Sequence, residues 1–291
     1  MTSKIRRVGL IVNTDKASAR AVVAEAAKII TRAGRRVLFD AATARAANLD
    51  DGFLPNVAAF TKAVDLLVVC GGDGTMLRVA SEAAGSSTPI LGINIGSLGF
   101  LTAVSSAETA RALQCVWDGE YRLESRPLIQ VAGKCRGKMV RRQALNDFVI
   151  SRGLASRLVT LELSVNGEPL TRYRCDGLIV SSPTGSTAYS LAAGGAVIHP
   201  RAEVFSLTPI CPHTLSNRSV IVSLDSKIQV RMASPRPETY LNADGEVVTA
   251  MAEGDVVTIR RSAHSVRLVQ LPGSSFFETL RRKLNWSGTN V

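Results

Sequence analysis

The sequence has only three histidines, five scattered cysteines and no apolar run long enough to cross a bilayer. The cysteines, Cys70, Cys115, Cys135, Cys175 and Cys211, are odd in number and never form a C-x-x-C pair, so neither a disulfide framework nor a zinc site is indicated. His199, His213 and His264 lack ligand spacing, and each is expected to be a structural hydrogen-bonding residue. The longest apolar runs, such as Leu66 to Cys70, fall far short of the roughly 20 residues a membrane helix needs, and the N-terminus lacks a signal-peptide core. A cytoplasmic protein with no membrane partner is expected. Walker A and Rossmann glycine patterns are missing, and Gly185-Ser186-Thr187 does not complete a nucleophile elbow, which leaves the familiar nucleotide folds and serine chemistry without a motif.

What is present is an ordinary globular composition: 291 residues, 46% hydrophobic and 20% charged, enough for two domains around a large apolar core. The net charge of +11 invites comparison with nucleic-acid proteins, but Lys and Arg are spread without aromatic interleaving. No nucleic-acid partner is expected, and the positive field suits anionic small molecules such as nucleotides better.

From the N-terminus, β and α patterns alternate. An apolar run Val8 to Val12 precedes a helical stretch from Ser18, its expected N-cap, to a stop at Gly34. Strands are predicted at Val37 to Phe39, Leu66 to Cys70 and Ile90 to Ile93, and helices near Asn56 to Ala63, from Thr75, and around Ala107 to Trp117. This alternation implies a parallel sheet covered by helices. After about Gly119 the period changes to two, with Leu161, Leu163 and Val165 leading into the hairpin signal Asn166-Gly167. Further strands are predicted at Ile179 to Ser181, Val220 to Leu224, Ile228 to Met232, Val256 to Arg260 and Val266 to Leu271, with short helices within Gly185 to Gly195 and at Phe276 to Leu284. The fold class is therefore an α/β N-terminal domain followed by an all-β, sandwich-like C-terminal domain. The boundaries expected are 1–119, 120–270 and a terminal segment 271–291.

Four segments carry chemistry. Gly71-Gly72-Asp73-Gly74-Thr75 follows a buried strand and opens a helix, so its glycines admit close approach and positive φ while helix-start amides favour phosphate; the alternative is a tight turn capped by Asp73. Gly92 to Phe100 follows the next strand and serves either packing or ligand contact. Asn146-Asp147 and Asp176-Gly177 each stand at a strand start, facing a cleft or capping a turn. Ser181 to Ser190 is rich in hydroxyls and poor in charge, which suits recognition of a polyhydroxylated nucleotide, with Tyr189 offering a ring and a hydroxyl.

Taken together, Gly71 to Thr75, Gly92 to Thr102, Asn146-Asp147, Asp176 to Tyr189 continuing to Pro200, Pro209 to Ser216 and Asp244-Gly245 resemble the NAD kinase family over almost the full length. The first motif is shared with diacylglycerol-type lipid kinases and phosphofructokinases; Asp176 to Tyr189 is far more specific. The resemblance implies an NAD kinase-like fold, transfer of the γ-phosphate of ATP to the 2′-hydroxyl of NAD, an NAD site in the crevice between the domains, magnesium or another divalent cation arriving with ATP, and a homodimer or homotetramer. It also implies that the terminal segment returns to the first domain.

Carried over by position, Asp73 resembles the general base, and Gly71, Gly72, Gly74 and Thr75 the phosphate loop. Asn146 and Asp147 are similar to residues holding the adenosine part of NAD, Thr187, Ala188, Tyr189, Ser190, Leu191 and Ala192 to adenine and ribose contacts, and Asp176 to the residue fixing the nicotinamide side. Arg78, Arg157, Arg174 and Glu246 match further NAD contacts, and Cys211 a position that approaches the nicotinamide site of a neighbouring subunit. Three departures stand out: the family more often has Asn-Glu at 146–147 and Gln at 246, and here a thiol occupies 211.

Overall fold

Short apolar strands alternate with amphipathic helices from residue 7 to residue 118 in the computed structural model, which describes residues 5–16, 18–47, 53–96, 98–102, 104–153, 157–213, 218–234 and 238–286. Ser97 and Thr214 to Ser216, which belong to two of the family-like segments, lie outside the described residues. The chain forms two units, 1–125 with 265–291, and 126–264.

In the first unit the elements are β1 (Arg7–Val12), α1 (Ala19–Arg32), β2 (Arg36–Asp40), α2 (Ala41–Ala47), β3 (Phe53–Leu54), α3 (Val57–Ala63), β4 (Leu66–Gly71), α4 (Asp73–Glu82), β5 (Ile90–Asn94), β6 (Val104–Ser105) and α5 (Thr109–Asp118). The strands pair in parallel in the order β3-β2-β1-β4-β5. All of β4 and β5 is buried, because helices cover both faces and a strand so covered needs no polar side. One cover is α1 with α5: Val23, Ala26 and Ile30 share a core cluster with Ala112, Leu113 and Val116. On the other face Phe60 of α3 presses on β1 at Gly9, where a Cβ would lie 2.5 Å from its ring.

Local signals explain the helix ends. The Asn56 side chain accepts the Ala59 amide to start α3, and Gly119 at φ +78° closes α5. Ser18 stands at the start of α1 but makes no side-chain capping bond. Helix α4 begins at Asp73, two residues before the start expected from the apolar pattern, because Gly72 adopts an extended cap conformation. Strand order reverses between β1 and β4, and in sheets of this type the carboxyl ends at the reversal are where ligands bind. The Gly71–Thr75 junction leaves β4 at that point.

The second unit is a pair of antiparallel sheets. Its elements are β7 (Arg122–Cys135), β8 (Lys138–Ala144), β9 (Asp147–Arg152), β10 (Val159–Val165), β11 (Glu168–Cys175), β12 (Gly177–Ser181), α6 (Tyr189–Ala192), β13 (Val204–Ile210), β14 (Val220–Ser223), β15 (Ile228–Met232), β16 (Thr239–Ala243), β17 (Glu246–Met251) and β18 (Val256–Gln270). One sheet runs β14-β13-β12-β9-β16-β17; in the other, β11-β10-β15 continues into the first part of β18, with the β7-β8 hairpin beside it. Inward side chains from both, among them Leu161, Val230 and Ile259 against Phe148, Val180 and Phe205, fill a single core. Asn166 and Gly167 take φ of +53° and +87°, both left-handed, and join β10 to β11 as their sequence requires.

The chain leaves the first unit within β7 and re-enters it within β18, one strand of 15 residues where the apolar pattern predicts two. Back in the first unit, Leu268 pairs with Ile90, and α7 (Phe276–Leu284) follows, with the Ser275 side chain accepting the Glu278 amide at its start.

Candidate active site

The β4-α4 junction places Asp73 on the first residue of a helix, beside amides that the helix itself cannot use. Among the described residues the amides of Asp73 and Gly74 have no partner, whereas those of Thr75 and Met76 bond back to the Gly72 carbonyl. None of Gly71, Gly72 and Gly74 has positive φ, contrary to the expectation from their glycine content, and a Cβ on Gly72 or Gly74 would meet nothing within 4 Å. Among the described residues neither backbone strain nor packing explains these two glycines. They leave the unpaired helix-start amides open to an approaching anion.

Asp73, flanked by Gly72 and Gly74, is held by the neighbouring loop. Its Oδ2 accepts the Phe100 amide at 2.8 Å, and its Oδ1 accepts the amides of Leu101 (3.0 Å) and Thr102 (3.2 Å) and the Thr102 hydroxyl (3.2 Å). The loop approaches closely because residue 99 is glycine: a Cβ there would lie 2.0 Å from Oδ1. The two glycine-rich junctions thus meet, one supplying the carboxylate and the other the amides that fix it.

In the second unit three segments converge at one end of the six-stranded sheet. Asp147 opens β9 opposite Ser181 at the end of β12, and Ala243 at the end of β16 pairs with Phe148. The turn residue Asp244, at φ +49°, accepts the amides of Leu145 (2.8 Å), Asn146 (2.8 Å) and Asp147 (3.2 Å). Asp147 is only 4% exposed, and its carboxyl has no hydrogen-bond partner among the described residues. Burial, then the neighbouring Asp244 carboxylate, pushes Asp147 up to about 7, while burial outweighs the three amides and raises Asp244 as well. Neither carboxyl oxygen is among the fully enclosed side-chain atoms that lack a partner, so solvent reaches the group; a largely buried carboxyl with a raised pKa and an open face is common at functional sites. Asn146 lies beside it, its carbonyl accepting the Ser182 amide and its side-chain amide without a partner among the described residues.

The hydroxyl-rich stretch was expected to turn its side chains to a ligand, and here the structure differs. Ser182 donates to the Leu145 carbonyl at 2.5 Å, Ser186 to the carbonyls of Pro183 (2.8 Å) and Ile198 (3.1 Å), and Ser190 shares a bond with Thr208. Thr187 donates to the Thr184 carbonyl. These hydroxyls satisfy backbone that leaves regular pairing, so they build the loop from inside. Ser190 is fully buried, whereas Ala188 and Leu191 are half-buried, Ala192 is exposed, and Tyr189 is 48% exposed.

The remaining expected residues fall elsewhere. Asp176 stands at the opposite end of β12 from Asp147, where the Arg152 Nε donates to its Oδ1 at 2.6 Å, and Cys211, exposed at φ +45°, follows β13 at the same end. Arg174 points into solvent from β11, and Arg157 is exposed without an ion pair among the described residues. Arg78 is paired with Glu82 on the outer side of α4, and Glu246 with Arg142, both pairs exposed and of little energetic weight. Arg152 and the amides of Phe100 to Thr102 were not expected. Backbone donors have no side-chain signature, and nothing in the sequence couples Arg152 to Asp176, 24 positions away.

The family described as ATP-NAD kinase N-terminal domain matches residues 8–121, and ATP-NAD kinase C-terminal domain matches residues 145–271. The NAD kinase of Symbiobacterium thermophilum is 42% identical over 284 residues, spanning 97% of this chain and 99% of that protein. That of Magnetococcus marinus is 37% identical over 97% of this chain and 94% of its own. Among solved structures, yeast NADH kinase complexed with NADH has a TM-score of 0.89 at 25% identity over 99% of this chain and 90% of its own. The NAD kinase from Archaeoglobus fulgidus in complex with ATP has a TM-score of 0.75 at 25% identity over 97% and 100%.

The unpartnered Asp147 has a pH consequence. Its folded-state value lies above the unfolded one, so between about pH 4 and pH 7 the folded chain keeps a proton that the unfolded chain releases, and stability falls as pH rises through that window. Asp147→Asn is expected to remove this slope, raising stability relative to wild type by up to about 3 kcal/mol more at pH 8 than at pH 5. Thermal melts of both proteins at the two pH values check it; parallel shifts would mean that the carboxyl is ionised and satisfied.

Proposed function

The chain belongs to the ATP-NAD kinase family, and on that premise we propose roles for its residues in the reaction it catalyses, transfer of the γ-phosphate of ATP to the 2′-hydroxyl of the adenosine ribose of NAD, giving NADP and ADP. The observation that carries the proposal is the Asp73 carboxylate, held by three loop amides beside two helix-start amides with no partner of their own.

A secondary ribose hydroxyl is a poor nucleophile near neutral pH. In this reading Asp73 accepts its proton as the oxygen bonds to the γ-phosphorus and the bond from phosphorus to the bridging oxygen of ADP breaks. The free amides of Asp73 and Gly74, at the positive end of α4, draw the phosphate oxygens and are already oriented, so no reorganisation is needed as charge moves. Among the described residues no cluster of His, Cys, Asp or Glu would hold a metal by itself, so magnesium or another divalent cation would come with ATP and would supply charge neutralisation for the transferring group.

Asp147 and Asn146 then supply polar groups for NAD: a ribose hydroxyl donating to Asp147 would give that carboxyl the partner it lacks. Tyr189 is the aromatic surface of the ligand wall, with Thr187, Ala188, Leu191 and Ala192 around it and Ser190 acting through the backbone. Asp176 fixes the nicotinamide side and is itself oriented by Arg152, with Arg174 two positions before it and Cys211 next to Ile210, whose carbonyl accepts the Asp176 amide. Arg78, Arg157 and Glu246 contribute only if their exposed side chains turn to the ligand. No described helix is long and apolar enough to cross a membrane, and this reading puts the enzyme in the cytoplasm with its substrates, as a homodimer or homotetramer.

Purified protein given ATP, magnesium and NAD is expected to form NADP; consumption of diacylglycerol or a sugar phosphate with NAD untouched would reverse the reading. Tyr189→Ala is expected to weaken NAD binding while leaving the melting temperature nearly unchanged, and calorimetric titration beside thermal melts separates the two effects. Asp73→Asn keeps size and polarity but cannot take a proton, so kcat should fall about 10²- to 10⁴-fold with NAD affinity largely retained. Near-normal kcat in a folded Asp73→Asn protein would make Asp73 a loop anchor only.

A further inference from the structure

We infer that Phe276, on the C-terminal helix α7, is a positioning residue for phosphoryl transfer: it holds Phe100, and through it the backbone that aims the Asp73 carboxylate. The inference rests on Asp73 as the proton acceptor.

The loop carrying Phe100 is neither helix nor strand, yet three of its amides in succession are committed to Asp73. A segment of this kind has little stiffness of its own, so the direction of the carboxylate depends on what backs the loop. On the side of Leu98 the backing is incomplete. A cavity of about 240 Å³ lies there, lined also by Arg111, Cys115, Glu278 and Arg282. On the side of Phe100 there is a ring: Phe276 meets it at 6.4 Å between centroids, tilted by 43°, and Phe277 packs edge-on against Phe276 at 5.5 Å. Tilted and edge-to-face pairs at such distances are favourable and directional.

The helix that presents Phe276 is itself anchored. Leu280 is buried at 4% exposure, Ser275 caps the first turn, and Leu271, just upstream, packs against the core of the first unit. The order of support therefore runs from core to α7, from Phe276 to Phe100, and from the Phe100, Leu101 and Thr102 amides to Asp73. The terminal segment touches no reacting atom in this scheme; it sets the angle of a group that does. Misplacement of a reacting group by about 1 Å costs about 10²-fold in rate, so loss of the ring contact should be felt in the chemical step.

Steady-state kinetics with NAD and ATP on Phe276→Ala, Phe276→Tyr, Phe100→Ala, Asp73→Asn and the two double variants test this. Phe276→Ala is expected to lower kcat about 10- to 100-fold. Both KM values should stay within about twofold and the circular dichroism should be unchanged, while Phe276→Tyr, which keeps the ring, restores kcat. In the Phe100→Ala or Asp73→Asn background, Phe276→Ala should change kcat by less than about twofold, because the route it acts through is already broken. Full kcat in Phe276→Ala, or the same fold-loss in every background, overturns the inference while leaving Asp73 as the base. Full kcat in Asp73→Asn alone overturns the base assignment, and this inference with it.

Discussion

Three consecutive backbone amides converge on one carboxylate in each unit. In the first unit Asp73 takes those of Phe100, Leu101 and Thr102; in the second, Asp244 takes those of Leu145, Asn146 and Asp147. Amides that leave a sheet ladder and pass into the interior must find acceptors, and a carboxylate can satisfy several at once where a neutral side chain cannot. Each carboxylate thereby orders a loop without bulk beside it. In the first unit glycine makes the approach possible, since a Cβ on Gly99 would fall 2.0 Å from the Asp73 Oδ1.

The rest of the chemistry follows from where those amides are spent. Once the Phe100–Thr102 amides are given to Asp73, the donors left over at the β4-α4 junction are those of Asp73 and Gly74, at the positive end of a helix and below open space. Once the Leu145–Asp147 amides are given to Asp244, nothing is left for Asp147, which stays buried, unpartnered and raised to about 7. Among the described residues one unit thus has donors without acceptors and the other a carboxyl without a donor. The roles proposed for these residues draw on those two spare capacities.

Several elements could be read from local pattern because one local force dominates each. Strand β4 is a continuous apolar run since both its faces are covered, α3 is announced by the Asn56 cap, and Asn166-Gly167 can hardly do other than turn a hairpin. Strands β7, β13, β16 and β17 left no clear trace. In β13 the residues facing away from the core are Ser206 and Thr208, buried beneath the Ser190 hydroxyl, so the strand alternates without contrast in burial and reads as loop. In β18 the polar stretch Arg260 to Ser265 coincides with the passage from one unit to the other, and it imitates a turn.

The glycine loops, the Asn146-Asp147 and Asp176 positions and the resemblance they carry were determined by the sequence alone, because backbone freedom and functional-group chemistry belong to single residues. Which of those groups is free to act was decided only by the tertiary structure. The serine hydroxyls between 181 and 190 face inward, and Asp176 is tied to Arg152. Asp73 is fixed by amides 27 to 29 positions away, and Asp147 is left without a donor. The physical reason is that hydrogen bonding competes over short distances in space. A residue's chemistry is its own, but its spare capacity depends on every donor and acceptor the fold brings within about 3 Å.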